Sequence, residues 1–234
     1  MIPNYRHRIH GVKETGMIKS NQMELNNELE KYITDHIDPE SKVLKELNRY
    51  TNINVLRPRM LSGHIQGQLL KMICRMINPL NILEIGTFTG YSAISMAEGT
   101  NDRAHIDTIE VNDELKTVID RFVEKAGFRN KITLHTGNAL DIIPSLDKKF
   151  DLVFIDADKR QYPEYYKTVF PMVSNGGYIL ADNILWNGKV IEPVDENDEY
   201  TKGILEFNRL VKDDDRVEKV ILPFRDGLFL IRKK

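Results

Sequence analysis

Between Leu80 and Asn183, short apolar runs rich in β-branched and aromatic residues alternate with amphipathic stretches, and no other feature limits the fold so tightly. The runs are Leu80–Gly86, His105–Glu110, Lys131–Thr136, Phe150–Ile155 and Gly177–Asn183. Short apolar runs without polar alternation suit strands buried on both faces. The stretches between them (Gly90–Glu98, Asn112 to Gly127, Asn138–Leu146 and Gln161–Val173) supply the helical crossovers that parallel strands require. Gly176-Gly177 reads as the turn into the fifth strand. A helix over Tyr200–Val211 precedes two more strands, Val217–Leu222 and Leu228–Arg232. The link between those two, Pro223–Gly227, is too short for a crossover, so they pair antiparallel. The expected fold is α/β: a doubly wound, Rossmann-like, seven-stranded, mostly parallel sheet with an antiparallel last strand.

Ahead of the sheet the spacing predicts helices over Met23–Ile37, from an Asp38-Pro39 cap to about Tyr50, and from a Ser62 N-cap to Ile77. Thr51–Met60 reads as the linker between the last two. These helices either serve packing or dimerisation or form a lid over the carboxyl edge of the sheet. Residues 1–16 are basic and aperiodic and read as a flexible extension, with Met17 as an alternative start. The rest, 17–234, reads as one domain: helices over 17–78 and an α/β core over 79–234. A length of 234 residues suits that. No stretch approaches 18 apolar residues and the first 30 hold no apolar leader. The single cysteine, Cys74, reads as helix core and rules out an intrachain disulfide. These features predict a cytoplasmic location away from membranes. A formal charge of −2 gives no global field for nucleic acid.

The chemistry sits where strands end. Phe150–Ile155 breaks into Asp156-Ala157-Asp158-Lys159, and the fifth run ends in Asp182-Asn183. If the two strands are parallel neighbours, about 4.8 Å apart, Asp156, Asp182 and Asn183 meet at one edge and offer hard oxygen donors to a hard cation. The first strand-to-helix turn, Glu84-Ile85-Gly86-Thr87-Phe88-Thr89-Gly90, has Phe88 where a dinucleotide fingerprint needs its middle glycine. Glu84 adds negative charge, which disfavours phosphate and suits an ammonium. Glycine at 86 lets backbone approach a ligand. Glu110 ends the second strand, where a carboxylate accepts ribose hydroxyls. Glu84, Gly86 and Glu110 together describe a site for a nucleoside with an amino-acid tail: S-adenosylmethionine (SAM).

The segments LEIGTFTGYS, TIEVNDEL, FDLVFIDADK and GGYILADNILWNGKV, in that order, resemble the cation-dependent O-methyltransferases, the family of catechol and caffeoyl-coenzyme-A O-methyltransferases and their small bacterial relatives. The resemblance covers about residues 40 to 234. It implies metal ligation by Asp156, Asp182 and Asn183, and catalysis by Lys159 as base with Asp156. It implies SAM contacts from Met60, Glu84, Gly86, Tyr91, Ser92, Glu110, Asn138, Ala139 and Asp156. Trp186 matches the position flanking the acceptor ring. A homodimer is common in the family.

A vicinal diol chelates one divalent ion, which lowers the hydroxyl pKa and fixes the ring. Two carboxylates and an amide, with no His or Cys, favour Mg²⁺, with Mn²⁺ or Ca²⁺ able to use the same donors. By position alone Lys159 reads as a surface lysine paired with Asp158; the resemblance makes it the base instead. Asp158 reads as a loop carboxylate. Arg225 either meets an acceptor carboxylate or lies in a solvated turn. His64, His105 and His135 read as structural. Ile191–Tyr200 carries five acidic residues and no basic cluster for the phosphates of coenzyme A. The expected activity is cation-dependent O-methylation of a catechol-type small molecule. The alternative is O-methylation of a hydroxylated uridine in tRNA, and a third reading, a non-catalytic SAM-binding module, sits poorly with the intact Asp156, Asp182, Asn183 and Lys159 set.

Overall fold

Runs such as NILEI and FDLVFI are apolar on both sides because their strands carry helices on both faces of one sheet. The structure is a computed structural model that describes residues 28–234. The chain divides into two units after Pro39. Within the first unit, residues 28–35 are helical, with a Lys31–Asp35 ion pair one turn apart. The expected extension over 1–16 and the start of the Met23–Ile37 helix lie outside the described residues.

The second unit, Glu40–Lys234, holds the sheet. Its elements are α1 (Lys42–Asn54), α2 (Gly63–Ile77), β1 (Asn81–Ile85), α3 (Tyr91–Gly99), β2 (His105–Glu110), α4 (Lys116–Lys125), β3 (Ile132–Thr136), α5 (Ala139–Ile142), β4 (Phe150–Ile155), α6 (Tyr162–Val169), β5 (Val173–Asp182), α7 (Glu199–Asp213), β6 (Val217–Leu222) and β7 (Leu228–Lys233). The strand order is β3-β2-β1-β4-β5-β7-β6, with β7 antiparallel to both neighbours and the other pairs parallel. The expected fold is the one observed. The order reverses between β1 and β4, so a crevice for ligands opens at the carboxyl ends of these two strands.

Alternate residues of each strand feed two cores. Ile82, Leu152, Phe154 and Leu180 pack with Leu44, Leu47, Leu70 and Ile94 of the helices on one face. Leu83, Ile85, Val153, Ile155 and Ile179 pack with Tyr162, Tyr166, Ile204 and Phe207 on the other. Almost every residue of α3 is buried, which explains its lack of a polar face. Cys74 is buried in the first of these cores, as expected.

Five local expectations are corrected. The cap of α1 is Ser41, whose hydroxyl accepts from the Leu44 amide at 3.3 Å, and not Asp38-Pro39. At its other end α1 runs past Tyr50 to Asn54, into the expected linker. Ser62 precedes α2 but its side chain makes no capping bond. Gly176-Gly177 lies inside β5, at an irregularity in its pairing with β4, so these glycines mark a bulge. A Cβ on Gly177 would sit 2.9 Å from the Ser174 carbonyl oxygen. The expected Gln161–Val173 helix ends as α-helix at Val169 and continues as a 3-10 turn, Phe170–Met172, where Pro171 interrupts it.

Candidate active site

The turn after β1 is held against the end of β4. Gly86 has φ +101, and any Cβ there would run into the Asp156 carbonyl. Its glycine is therefore needed for the approach of one strand end to another. Phe88, in the place of a middle glycine, takes φ +50 and donates its amide to Glu110 Oε2 at 2.7 Å. Glu110 Oε1 accepts from the Asn112 amide at 2.9 Å. Two backbone donors thus orient the Glu110 carboxylate at the end of β2, although burial raises its pKa.

Glu84 is fully buried. Its Oε2 accepts from the Thr108 hydroxyl at 2.5 Å, while Oε1 has no hydrogen-bond partner among the described residues. Burial pushes its carboxyl up to about 8, opposed by the hydroxyls of Ser92 and Thr108 and reinforced by Asp156 and Glu110. An orphaned, buried acceptor is costly, and a cationic donor relieves it. Ser92 is buried in the first turn of α3. Tyr91, beside it, is placed differently: its buried side chain gives its hydroxyl to Glu40 Oε1 at 2.5 Å. Asn138 caps α5, accepting from the Leu140 amide at 3.0 Å, and Ala139 is buried next to it. Met60 is exposed, in a 3-10 turn Pro58–Met60.

The tips of β4 and β5 form the second half of the site. Ile155 pairs with Ala181, so Asp156 and Asp182 follow the last paired positions of adjacent parallel strands. Lys159 is only 7% exposed and donates to Asp156 Oδ1 at 2.8 Å and to the Tyr162 hydroxyl at 2.7 Å. It is not the surface partner of Asp158. That carboxylate caps the 3-10 turn Lys159–Gln161 and pairs with Arg160 instead. The Tyr162 hydroxyl also lies 2.9 Å from the Asp182 carbonyl and 3.2 Å from that of Ile155, joining both strand ends. Asp182 accepts from Gln66 Nε2 at Oδ2 and from the Asn183 amide at Oδ1, each at 2.8 Å. Burial pushes its carboxyl up to about 6, with the Asp156 charge adding to the rise and Lys159 opposing it. Asn183 is half-buried with φ +59. Among the described residues no three His, Cys, Asp or Glu side chains converge; the expected donor set contains only two carboxylates, with an amide as its third member.

Trp186 follows β5 and stacks on Tyr200, ring centroids 6.2 Å apart and planes 13° from parallel. Arg225 is exposed in its turn, as one of the two expectations has it, and its guanidinium also donates to the Ser62 carbonyl and to Gln66 Oε1. His135 bonds to Asp107 at 2.8 Å and His105 to Thr133 at 3.1 Å, both structural contacts; His64 lies on α2. Sequence reasoning missed Gln66 and Tyr162. The only local trace of the first is a polar side chain on the apolar face of α2, and of the second a tyrosine one turn past Lys159.

The O-methyltransferase family model matches residues 34–234. The chain belongs to this O-methyltransferase family. It is 36% identical over 208 residues to caffeoyl-CoA O-methyltransferase 5 of Nicotiana tabacum, covering 84% of this chain and 85% of that protein. It matches the O-methyltransferase of Bacillus cereus solved in complex with SAH at a TM-score of 0.83 and 28% identity, covering 88% of this chain and 97% of the other. An O-methyltransferase from Streptomyces achromogenes involved in tomaymycin synthesis, solved in complex with SAM, matches at a TM-score of 0.83 and 27% identity, with 88% and 96% covered. The protein is a SAM-dependent O-methyltransferase. Among the described residues of this methyltransferase no helix is long and apolar enough to cross a membrane.

Proposed function

We propose that this O-methyltransferase moves the methyl group of SAM to one hydroxyl of a catechol-type small molecule, with a divalent cation held by Asp156, Asp182 and Asn183. The observation that carries the reading is the pair of acidic side chains on adjacent strand tips, served by one ammonium. Lys159 bonds to Asp156, while the Asp182 carboxyl is pushed up to about 6 by burial and by Asp156. Such a pair has an unmet demand for positive charge. Each Asp182 oxygen already accepts one hydrogen bond and keeps a second lone pair. The donors are hard oxygens, which fits Mg²⁺. When bound, such an ion supplies Lewis acidity and a template for a bidentate diol.

The chain's own residues do the rest. Lys159, held by Asp156 and Tyr162, is the lysine among the buried polar residues; once it has released one proton to solvent, the neutral amine takes the acceptor's hydroxyl proton at Nζ and becomes the ammonium again. Glu84 meets the donor's ammonium with its orphaned Oε1, and Glu110 meets the ribose hydroxyls. Gly86, Ser92, Asn138, Ala139 and Met60 line the rest of the donor site, and Tyr91 supports it from behind through its bond to Glu40. Trp186, braced by Tyr200, flanks the planar acceptor. The relatives named for caffeoyl-CoA support a diol acceptor, because a caffeoyl group carries one. The acidic segment Glu192–Glu199, whose charges bind Lys189 and Lys202, disfavours the phosphates of coenzyme A and favours a small free acceptor. A single cysteine, Cys74, which can form no intrachain disulfide, fits the expected cytoplasmic location. The homodimer common in the family is part of the same reading and is tested by solution mass.

The test is methyl transfer from labelled SAM to a panel of catechols and to bulk tRNA, with and without Mg²⁺. Mg²⁺-stimulated labelling of catechols supports the reading. Labelling of tRNA alone would replace the acceptor, and turnover indifferent to chelators would remove the cation.

A further inference from the structure

Gln66 is a polar side chain only 1% exposed, on a helix whose other buried positions include Leu70, Ile73 and Cys74. Its amide is used at both ends. Nε2 donates to Asp182 Oδ2 at 2.8 Å, and Oε1 accepts from Arg225 Nη1, which also donates to the Ser62 carbonyl. A guanidinium has donors only and a carboxylate has acceptors only. A flipped Gln66 would therefore face N–H groups to a cation and oxygen to an anion, two repulsions in place of two bonds. Arg225 fixes which way the amide points, and the amide fixes Asp182. With the Asn183 amide on Oδ1, the carboxylate is pinned at both oxygens.

The turn that carries Arg225 grips the same segment by a second route. Gly227 and Asp226 carbonyls accept from the Ile184 and Leu185 amides at 3.2 and 2.9 Å, and Asp226 Oδ1 accepts from the Asn187 amide at 2.6 Å. The β6–β7 turn thus holds the chain just after Asn183 while its arginine orients Asp182 through α2.

We propose that Gln66, locked by Arg225, is a positioning residue that presents the Asp182 carboxylate to a divalent cation. This rests on the cation reading above. Outer partners of metal-bound carboxylates are worth about 10–100-fold in metal affinity. The experiment is calorimetric titration of Mg²⁺ and, separately, of SAM into wild type, Gln66→Leu, Arg225→Met and the double variant, each first checked by denaturant unfolding. Gln66→Leu should weaken Mg²⁺ by about 10-fold or more and leave SAM affinity within about twofold. Arg225→Met should weaken Mg²⁺ less, and should add nothing in the Gln66→Leu background, because it acts through the amide. Arg225 is exposed, so its variant carries the test should Gln66→Leu not fold. Wild type without Mg²⁺ binding would overturn the cation reading itself. Wild type that binds Mg²⁺, with both single variants binding it equally well, would overturn the positioning role alone.

Discussion

Glu84→Gln separates the needs of the fold from those of the donor site. Glu84 is fully buried with one oxygen unpartnered, and burial pushes its carboxyl from 4.5 up to about 8. The folded pKa lies above the unfolded one, so the folded state holds the proton more tightly. Its contribution to stability is therefore complete below about pH 4.5 and is lost as pH rises towards 8. At about 1.4 kcal/mol per unit, the loss between pH 4.5 and 7 is on the order of 3 kcal/mol. Glu84→Gln keeps the shape and removes the titration. Urea unfolding of the ligand-free protein at pH 5, 7 and 8.5 should show wild type losing stability relative to Glu84→Gln as pH rises. SAM affinity should move the opposite way: loss of a charge-assisted bond worth about 1.5–3 kcal/mol weakens binding by roughly 10- to 150-fold. Parallel pH curves for the two proteins, together with equal SAM affinity, would refute the assignment of Glu84 as the counter-charge to an ammonium.

Lys159→Ala should lower kcat far more than it raises KM in catechol methylation; a pure KM effect in steady-state kinetics would make Lys159 a binding residue. Tyr162→Phe keeps the ring against Phe207 but leaves the buried Lys159 ammonium one acceptor short, and should cost about 1–3 kcal/mol in denaturant unfolding. Gly86→Ala combines φ +101 with a collision at the Asp156 carbonyl, and should destabilise by about 2 kcal/mol or more in the same assay.

The sheet was legible because each strand is a short apolar run bounded by polar or glycine residues. β2, β4 and β6 begin and end where the sequence places them. The tip residues were legible for the same reason, since a carboxylate ending such a run has few structural uses. Helix starts were less so: Ser41 competes with Asp38-Pro39 as a cap, and the choice depends on where α1 packs. Gly176-Gly177 looks the same in sequence as a turn or as a bulge, and only pairing with β4 distinguishes them. Gln66 was illegible because its partner lies 116 residues away. Arg225 was illegible likewise, as its bonds to Ser62 and Gln66 exist only once α2 lies beside the β6–β7 turn. Lys159 lies one residue from Asp158 and three from Asp156, and local spacing favours the wrong partner. Burial at the strand tip selects Asp156.

On the proposed reading, two adjacent strand tips hold one divalent cation beside the donor site. Its most direct test is a crystal of the protein grown with SAH and Mn²⁺, with anomalous scattering measured at the manganese edge. A single strong peak ligated by Asp156, Asp182 and Asn183 is the expected result. Electron density for SAH with no anomalous peak between those three side chains would contradict it.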